Sequence, residues 1–335
     1  MNLKSALASA VLAFLALGLP AQTITIKIAS QAPENTPIGA GLSKLASDFK
    51  RISNGQVILK VFHNGSQGDE EGMRQKMNTG LLDAALFDTF GLSHISPEAM
   101  ALSAPAVIGD ENELEAVLAK ATPVIRRHIE EKGYQVGALT TVGWVRFFSR
   151  YVIKTPDDLR KYKIAVNPYE KELIELYKLA GLNIVMSPLT TMLQQLQAKS
   201  VDVFYTLPTY LSYQWTSFAG VASHMTDMRV CPVVGGIIFR KQSWEKIPAQ
   251  FREAMLAATE AVGQQVSSDF LKKETTIIAD LSRNGLTVVS VSDADRLAWR
   301  SEFAKAVAKG TGPVYTKEMM DLINQTLAEY RSSHK

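Results

Sequence analysis

From Thr23 to Ala29 the chain reads TITIKIA, an alternation of apolar and polar positions that predicts a β-strand. A turn-rich segment, Gln31 to Pro37, follows. Apolar residues then fall at helical spacing, with Leu42, Leu45, Ala46 and Phe49 on one face, until Ser53-Asn54-Gly55 stops the pattern. Val57 to Phe62 predicts a second strand, Asp69 to Thr79 a second helix ended by Gly80, and Leu82 to Phe87 a third strand. This β-α-β-α-β opening predicts an open α/β sheet. Glu111 to Lys132 reads as a helix closed by Gly133, and Tyr134 to Val142 as a strand.

The segment Tyr151 to Pro208 repeats the theme as strand, turn, helix, strand, helix, strand, which predicts a second sheet. Such a unit sets its loops at the carboxyl edge of parallel strands, where α/β proteins bind small ligands. Ala222 to Phe239 holds extended apolar segments that return to the first domain. Pro248 to Arg283 is helical in pattern with only Gly263 interrupting it. A helix of about 35 residues is ~50 Å long, more than the width of one small domain, and is expected to span both. Thr287 to Val291 predicts a late strand, and the chain is mostly helical from Asp293 onward.

Length, charge and cysteine usage narrow the classes. The 335 residues suggest two domains. Met1 to Ala21 has a positive start at Lys4, an apolar run from Ala6 to Leu19 and a small residue after Pro20, the pattern of a secretory signal. Cleavage would leave a soluble exported protein beginning near Gln22; the alternative is an uncleaved membrane anchor. The formal charge of +3 and the scattered basic residues predict no nucleic-acid partner. The lone cysteine, Cys231, lies in an apolar run and reads as a small buried hydrophobe rather than a reactive thiol.

Chemistry-bearing patterns are sparse. The chain has no GxSxG, HExxH, CxxC or P-loop. Gly39-Ala40-Gly41 lies inside a helix and lacks a third glycine. His63, His94, His128, His224 and His334 never fall at metal-ligand spacing. Asp69-Glu70-Glu71 reads as a helix start, where acids are stabilised by the helix dipole. Thr155-Pro156-Asp157-Asp158 reads as another, with Thr155 as N-cap. No enzyme activity, cofactor or metal is expected.

Several short patterns together carry a resemblance. They are Ser53-Asn54-Gly55 before Val57–Phe62, Gln67-Gly68-Asp69-Glu70, Gly80-Leu81-Leu82-Asp83, Thr155-Pro156-Asp157-Asp158-Leu159, Lys163-Ile164-x-Val166, Leu196-Gln197 with Val201-Asp202, and Trp244-x-x-Ile247-Pro248. In this order the chain resembles the solute receptors of tripartite ATP-independent periplasmic (TRAP) transporters. The resemblance implies a two-lobed α/β fold of the periplasmic-binding-protein type, class II-like, with a long helix spanning both lobes. Lobe I would comprise 22–143 plus about 230–271, and lobe II 144–229 plus about 272–335. It implies a periplasmic receptor that encloses its ligand by hinge closure and delivers it to a membrane permease. A tetratricopeptide-repeat protein is a further partner in some members.

The same resemblance points to a pocket. Arg146 matches a family arginine near the cleft, and Asp88 matches a polar position flanked by Phe87 and Phe90. Ala165 stands where the family usually has the arginine that holds a ligand carboxylate. Thr206 replaces an asparagine and Leu189 an aromatic residue. Asn167, Met186, Phe204, Leu207, Tyr210 and Tyr213 complete the expected ligand-binding set. A bidentate arginine makes two charge-assisted hydrogen bonds of about 1.5–3 kcal/mol each, and alanine makes none. The expected ligand is therefore neutral or largely apolar. A carboxylate receptor relying on Arg146 alone, a sensor or scaffolding protein on the same fold, and an enzyme using Asp88 are the alternatives.

Overall fold

The computed structural model describes residues 23–334, so the expected signal segment lies outside the described residues. The chain builds two sheets. The first carries strands β1 (Ile24–Ala29), β2 (Val57–Phe62), β3 (Ala84–Phe87) and β4 (Tyr134–Trp144). A much later strand, β10 (Pro232–Arg240), enters between β3 and β4, giving the order β2-β1-β3-β10-β4. β1 runs parallel to β2 and β3, whereas β10 is antiparallel to both of its neighbours. The second sheet has the order β11-β9-β5-β8-β6-β7. Its members are β5 (Arg146–Ser149), β6 (Ile164–Val166), β7 (Ile184–Met186), β8 (Val203–Thr206), β9 (His224–Thr226) and β11 (Thr287–Val289).

Local chemistry sets the elements of the first sheet. Helix α1 (Pro37–Ile52) starts where the Thr36 hydroxyl accepts the Gly39 N–H at 3.2 Å and Pro37 occupies the first turn, a proline position that costs no hydrogen bond. Its Leu42, Leu45 and Phe49 are fully buried, each worth about 1.5–3 kcal/mol of transfer free energy. Helix α2 (Glu70–Thr79) is capped by Asp69, which accepts the Gly72 N–H at 2.8 Å, and ends at Gly80 with φ of 77°, a left-handed value that favours glycine. A short helix α3 (Thr89–Ser93) follows β3, and α4 (Glu111–Glu131) leads into β4.

Two features differ from the sequence reading. The strand expected at Tyr151 forms earlier, as β5 at Arg146–Ser149; Tyr151 lies beyond its end and stacks on Tyr162 with ring centroids 4.4 Å apart. The rest of that segment follows the expected order. Helix α5 (Pro156–Arg160) has a capping box between Thr155 and Asp158; α6 (Lys171–Leu179) joins β6 to β7, and α7 (Leu189–Gln197) joins β7 to β8. The second difference is at the C-terminus, expected wholly with the second lobe. Helix α12, as numbered along the chain (Asp293–Gly310), does pack on α5 and α6 of that lobe. Helix α13 (Lys317–Ser333) instead packs on α4, and Arg331 pairs bidentately with Glu113 at 2.6 and 2.9 Å.

The two sheets are joined closely. β4 passes into β5 with only Val145 between them. The Val145 N–H donates to the Cys231 carbonyl at 2.9 Å, and the Val230 N–H donates to the Val145 carbonyl at 3.0 Å. The outgoing and returning chains therefore pair where they cross. After the short helices α8 (Pro208–Ser212), α9 (Trp215–Phe218) and α10 (Lys241–Trp244) comes α11 (Ala249–Arg283), a single helix of 35 residues. Its Met255, Val262, Val266 and Phe270 join the core behind the first sheet, and its Leu281 joins the core of the second with Phe148 and Phe204. No helix of the described residues is long and apolar enough to cross a membrane.

Candidate functional site

A cavity of about 280 Å³ opens between the two sheets. The first sheet supplies Leu86, Phe87 and Asp88 from β3 and its end, and Gly235 and Gly236 from β10. These glycines have no room for a side chain: a Cβ at Gly235 would lie 2.9 Å from the Phe87 carbonyl oxygen, and one at Gly236 2.7 Å from Leu139. The long helix adds Val262, Gly263 and Val266, and α1 adds Ile38 and Leu42. The second sheet contributes the carboxyl ends of β6 and β8, with Ala165, Asn167, Phe204, Tyr205 and Thr206, followed by Leu207 and Tyr210. Leu189 and Met192 come from α7.

Most of the expected set converges here. Phe87, Asp88, Phe90, Ala165, Asn167, Leu189, Phe204, Thr206, Leu207 and Tyr210 all line the cavity. Met186 and Tyr213 do not; both are exposed outside it. Arg146 does not line it either. Its side chain is 4% exposed, donates to the carbonyls of Trp144 and Val145 at 3.3 and 3.4 Å, and pairs with Glu274 of α11 at 3.6 Å. Burial lowers the Arg146 pKa and raises that of Glu274, so each ion is stabilised mainly by the other. The arginine expected to meet a ligand is committed to the junction of the sheets.

The polar groups that do line the cavity were largely unanticipated. Glu70, read from sequence as part of a helix start with cation binding as the alternative, accepts the Asp88 N–H at 2.9 Å and faces the cavity. A Cβ at Gly91 would lie 2.0 Å from its Oε2, so α3 can approach this carboxyl only through glycine. Burial, then the Asp88 carboxylate, push Glu70 well above the usual carboxylate range. Glu170 lies after β6 and accepts the Tyr205 hydroxyl. Burial raises it to about 8, against the Tyr205 hydrogen bond and with help from the Asp88 charge. Ser187 is 1% exposed, lines the cavity, and its hydroxyl has no hydrogen-bond partner among the described residues. The position of Glu170 just past a strand's carboxyl end was the one signal that could have marked it.

A smaller cavity of about 50 Å³ lies behind Phe90 and Tyr205 and reaches Cys231. Cys231 is half-buried rather than fully buried, and burial pushes its thiol up to about 12, so it stays protonated. Among the described residues no lysine, arginine or histidine lines the main cavity.

Comparison with known proteins agrees with this architecture. Over 320 residues the chain is 22% identical to the 2,3-diketo-L-gulonate-binding periplasmic protein YiaO of Escherichia coli, covering 89% of this chain and 92% of that one. A TRAP periplasmic solute-binding protein from Ralstonia eutropha, solved with bound (S)-2-acetolactate, superposes with a TM-score of 0.84 at 20% identity, covering 91% of this chain and 99% of that one. One from Shewanella oneidensis with bound succinate gives 0.82 at 17% identity, with the same 91% and 99% coverage. Residues 28–311 match the family model for bacterial extracellular solute-binding protein, family 7. The chain belongs to that family, as a TRAP-transporter solute receptor and not an enzyme.

Proposed function

We propose that this receptor encloses a neutral or largely apolar ligand that carries no free carboxylate, and hands it to the membrane permease of its transporter from the periplasm. One observation carries the reading: the cavity wall is mostly apolar, and its ionisable acid groups are three carboxyls, with no basic side chain among the described residues. A carboxylate placed there would lose its hydration without gaining a counter-ion, at a cost of several kcal/mol. Acetolactate and succinate, bound by the two solved relatives, both carry carboxylates. Ala165 is buried where the family resemblance places a carboxylate-binding arginine. The walls come from both sheets, so an enclosed ligand favours the closed arrangement through its contacts with each. Titration calorimetry of ligand-free receptor with succinate and acetolactate tests this. No binding at millimolar concentration is expected; micromolar binding of either acid, lost in Arg146→Ala, would show that Arg146 serves as a carboxylate site.

A further inference from the structure

The polar part of the cavity is acidic from both sides. Glu70 and Asp88 stand at the end of the first sheet, and Glu170 after β6 of the second. Elsewhere in the protein several buried or part-buried acids have cations: Glu113 has Arg331 at 2.6 Å, Glu274 has Arg146 at 3.6 Å, and Glu71 has Arg74 at 2.7 Å. The cavity acids have only neutral donors. Asp88 accepts the Phe90 N–H at 2.7 Å, Glu70 accepts the Asp88 N–H, and Glu170 accepts the Tyr205 hydroxyl. Among the described residues three carboxyl groups thus line one apolar chamber without a counter-charge, together with the buried, unpartnered Ser187 hydroxyl. Among the described residues no three potential metal ligands converge closely enough to hold a metal ion. Glu70 and Asp88 lie together on one side of the chamber and Glu170 on the other, an arrangement that suits an organic group presenting several N–H donors.

We propose that the ligand is an amphiphilic amine, its apolar body against Phe87, Phe204, Leu207 and Val262 and its ammonium head between Glu70, Asp88 and Glu170. The proposal deepens the apolar-ligand reading above and rests on it. An ammonium donates three charge-assisted hydrogen bonds and has no acceptor, matching a wall that offers acceptors from both sheets. It also supplies a reason for closure. The Asp88 charge on one side opposes ionisation of Glu170 on the other; a cation between them removes that conflict only when both sides are engaged.

Binding should therefore release a proton near neutral pH. The titratable groups around Glu170 are Tyr205 on β8, Tyr177 on α6, Cys231 beside β10, and Asp88 across the cleft. Burial holds the two tyrosines and the thiol protonated, so Glu170 and, across the cleft, Glu70 are the groups that give up protons as the cation arrives.

The test is calorimetric titration of ligand-free receptor with octylamine, octanol and octanoate at pH 6, 7 and 8, in two buffers of different ionisation enthalpy. Octylamine is expected to bind at least about tenfold tighter than octanol and about 100-fold tighter than octanoate. At pH 7 its binding should release about one to two protons, and its affinity should rise more than about tenfold from pH 6 to 8 as Glu170 ionises. Glu170→Gln should lower the proton release by close to one and cost the amine at least about tenfold. If that variant does not fold, the pH series on the natural protein decides alone, with Glu70→Gln as the second variant. Octanol binding as tightly as octylamine, amine binding without proton release, or no amine binding at millimolar concentration overturns the ammonium site and leaves the apolar-ligand reading standing. Octanoate binding tightest overturns both.

Discussion

Glu170 makes a prediction about stability that needs no ligand. Its carboxyl is held at about 8 in the folded protein and starts from 4.5 as an unperturbed side chain. Between those values the folded chain carries the proton and the unfolded chain does not. Stability is therefore fully present below pH 4.5 and falls as pH rises toward 8. A tenfold change in proton affinity is worth about 1.4 kcal/mol, so complete burial would cost about 5 kcal/mol at pH 8. Glu170 as a residue is only half-buried and lines an open cavity, so the effective figure is roughly 2–4 kcal/mol. Glu170→Gln keeps an acceptor for the Tyr205 hydroxyl and cannot ionise. At pH 5 it should match the natural protein within about 0.5 kcal/mol; at pH 8 it should be more stable by roughly 2–4 kcal/mol, a melting shift of about 5–10 °C. Urea unfolding at pH 5, 6, 7 and 8, with midpoints compared at constant slope, measures this difference. A difference between the two proteins that is flat with pH, or that favours the natural protein at pH 8, would refute the argument that burial of this carboxyl is uncompensated within the chamber.

Three further outcomes follow from the geometry. Gly91→Ala should destabilise by roughly 2–4 kcal/mol in urea unfolding, since the added methyl displaces Glu70 from the Asp88 N–H and crowds Phe87 at 2.7 Å; a loss below about 0.5 kcal/mol would mean the carboxyl swings aside freely. Arg146→Met should cost about 3–5 kcal/mol at pH 8 and less at pH 5, because it leaves the buried Glu274 unpaired and free to take up a proton; equal losses at both pH values would deny the ion pair its role. Ala165→Arg combined with Glu170→Gln should create millimolar or tighter succinate binding by calorimetry, by restoring a bidentate donor at a cavity wall; a folded double variant that ignores succinate would show that the residue at this place does not govern ligand charge.

What the sequence revealed and what it hid separate along one line. Elements set by local periodicity and caps were legible: α1 from Leu42, Leu45 and Phe49, α5 from Thr155 and Asp158, and the long α11 from its uninterrupted pattern. Side-chain direction at a junction was not. Asp69, Glu70 and Glu71 are consecutive at one helix start, yet Asp69 caps the helix, Glu71 pairs with Arg74, and only Glu70 turns into the chamber. Nothing local distinguishes them, because the deciding contact is with Asp88 and Gly91 on another element. Arg146 is the same case in reverse. Its partner Glu274 lies on the long helix, far along the chain, and that pairing takes the guanidinium away from the ligand. The absence of an arginine at Ala165 stands in the sequence itself; the convergence of the Glu170 and Glu70 carboxyls on one cavity needed the fold.

The paired crossing at Val145 has a mechanical meaning. Two single strands joining two bodies would let them swing and twist independently. Here the outgoing and returning chains are hydrogen-bonded in both directions across Val145, to Cys231 and from Val230. They behave as one ribbon, stiff in its plane and compliant across it, and the 35-residue helix forms a strut beside them. The hinge closure proposed above would then have essentially one degree of freedom. Its angle would become a gauge of what lies in the jaws, with a longer solute expected to hold the clamp ajar by a definite amount instead of loosening it.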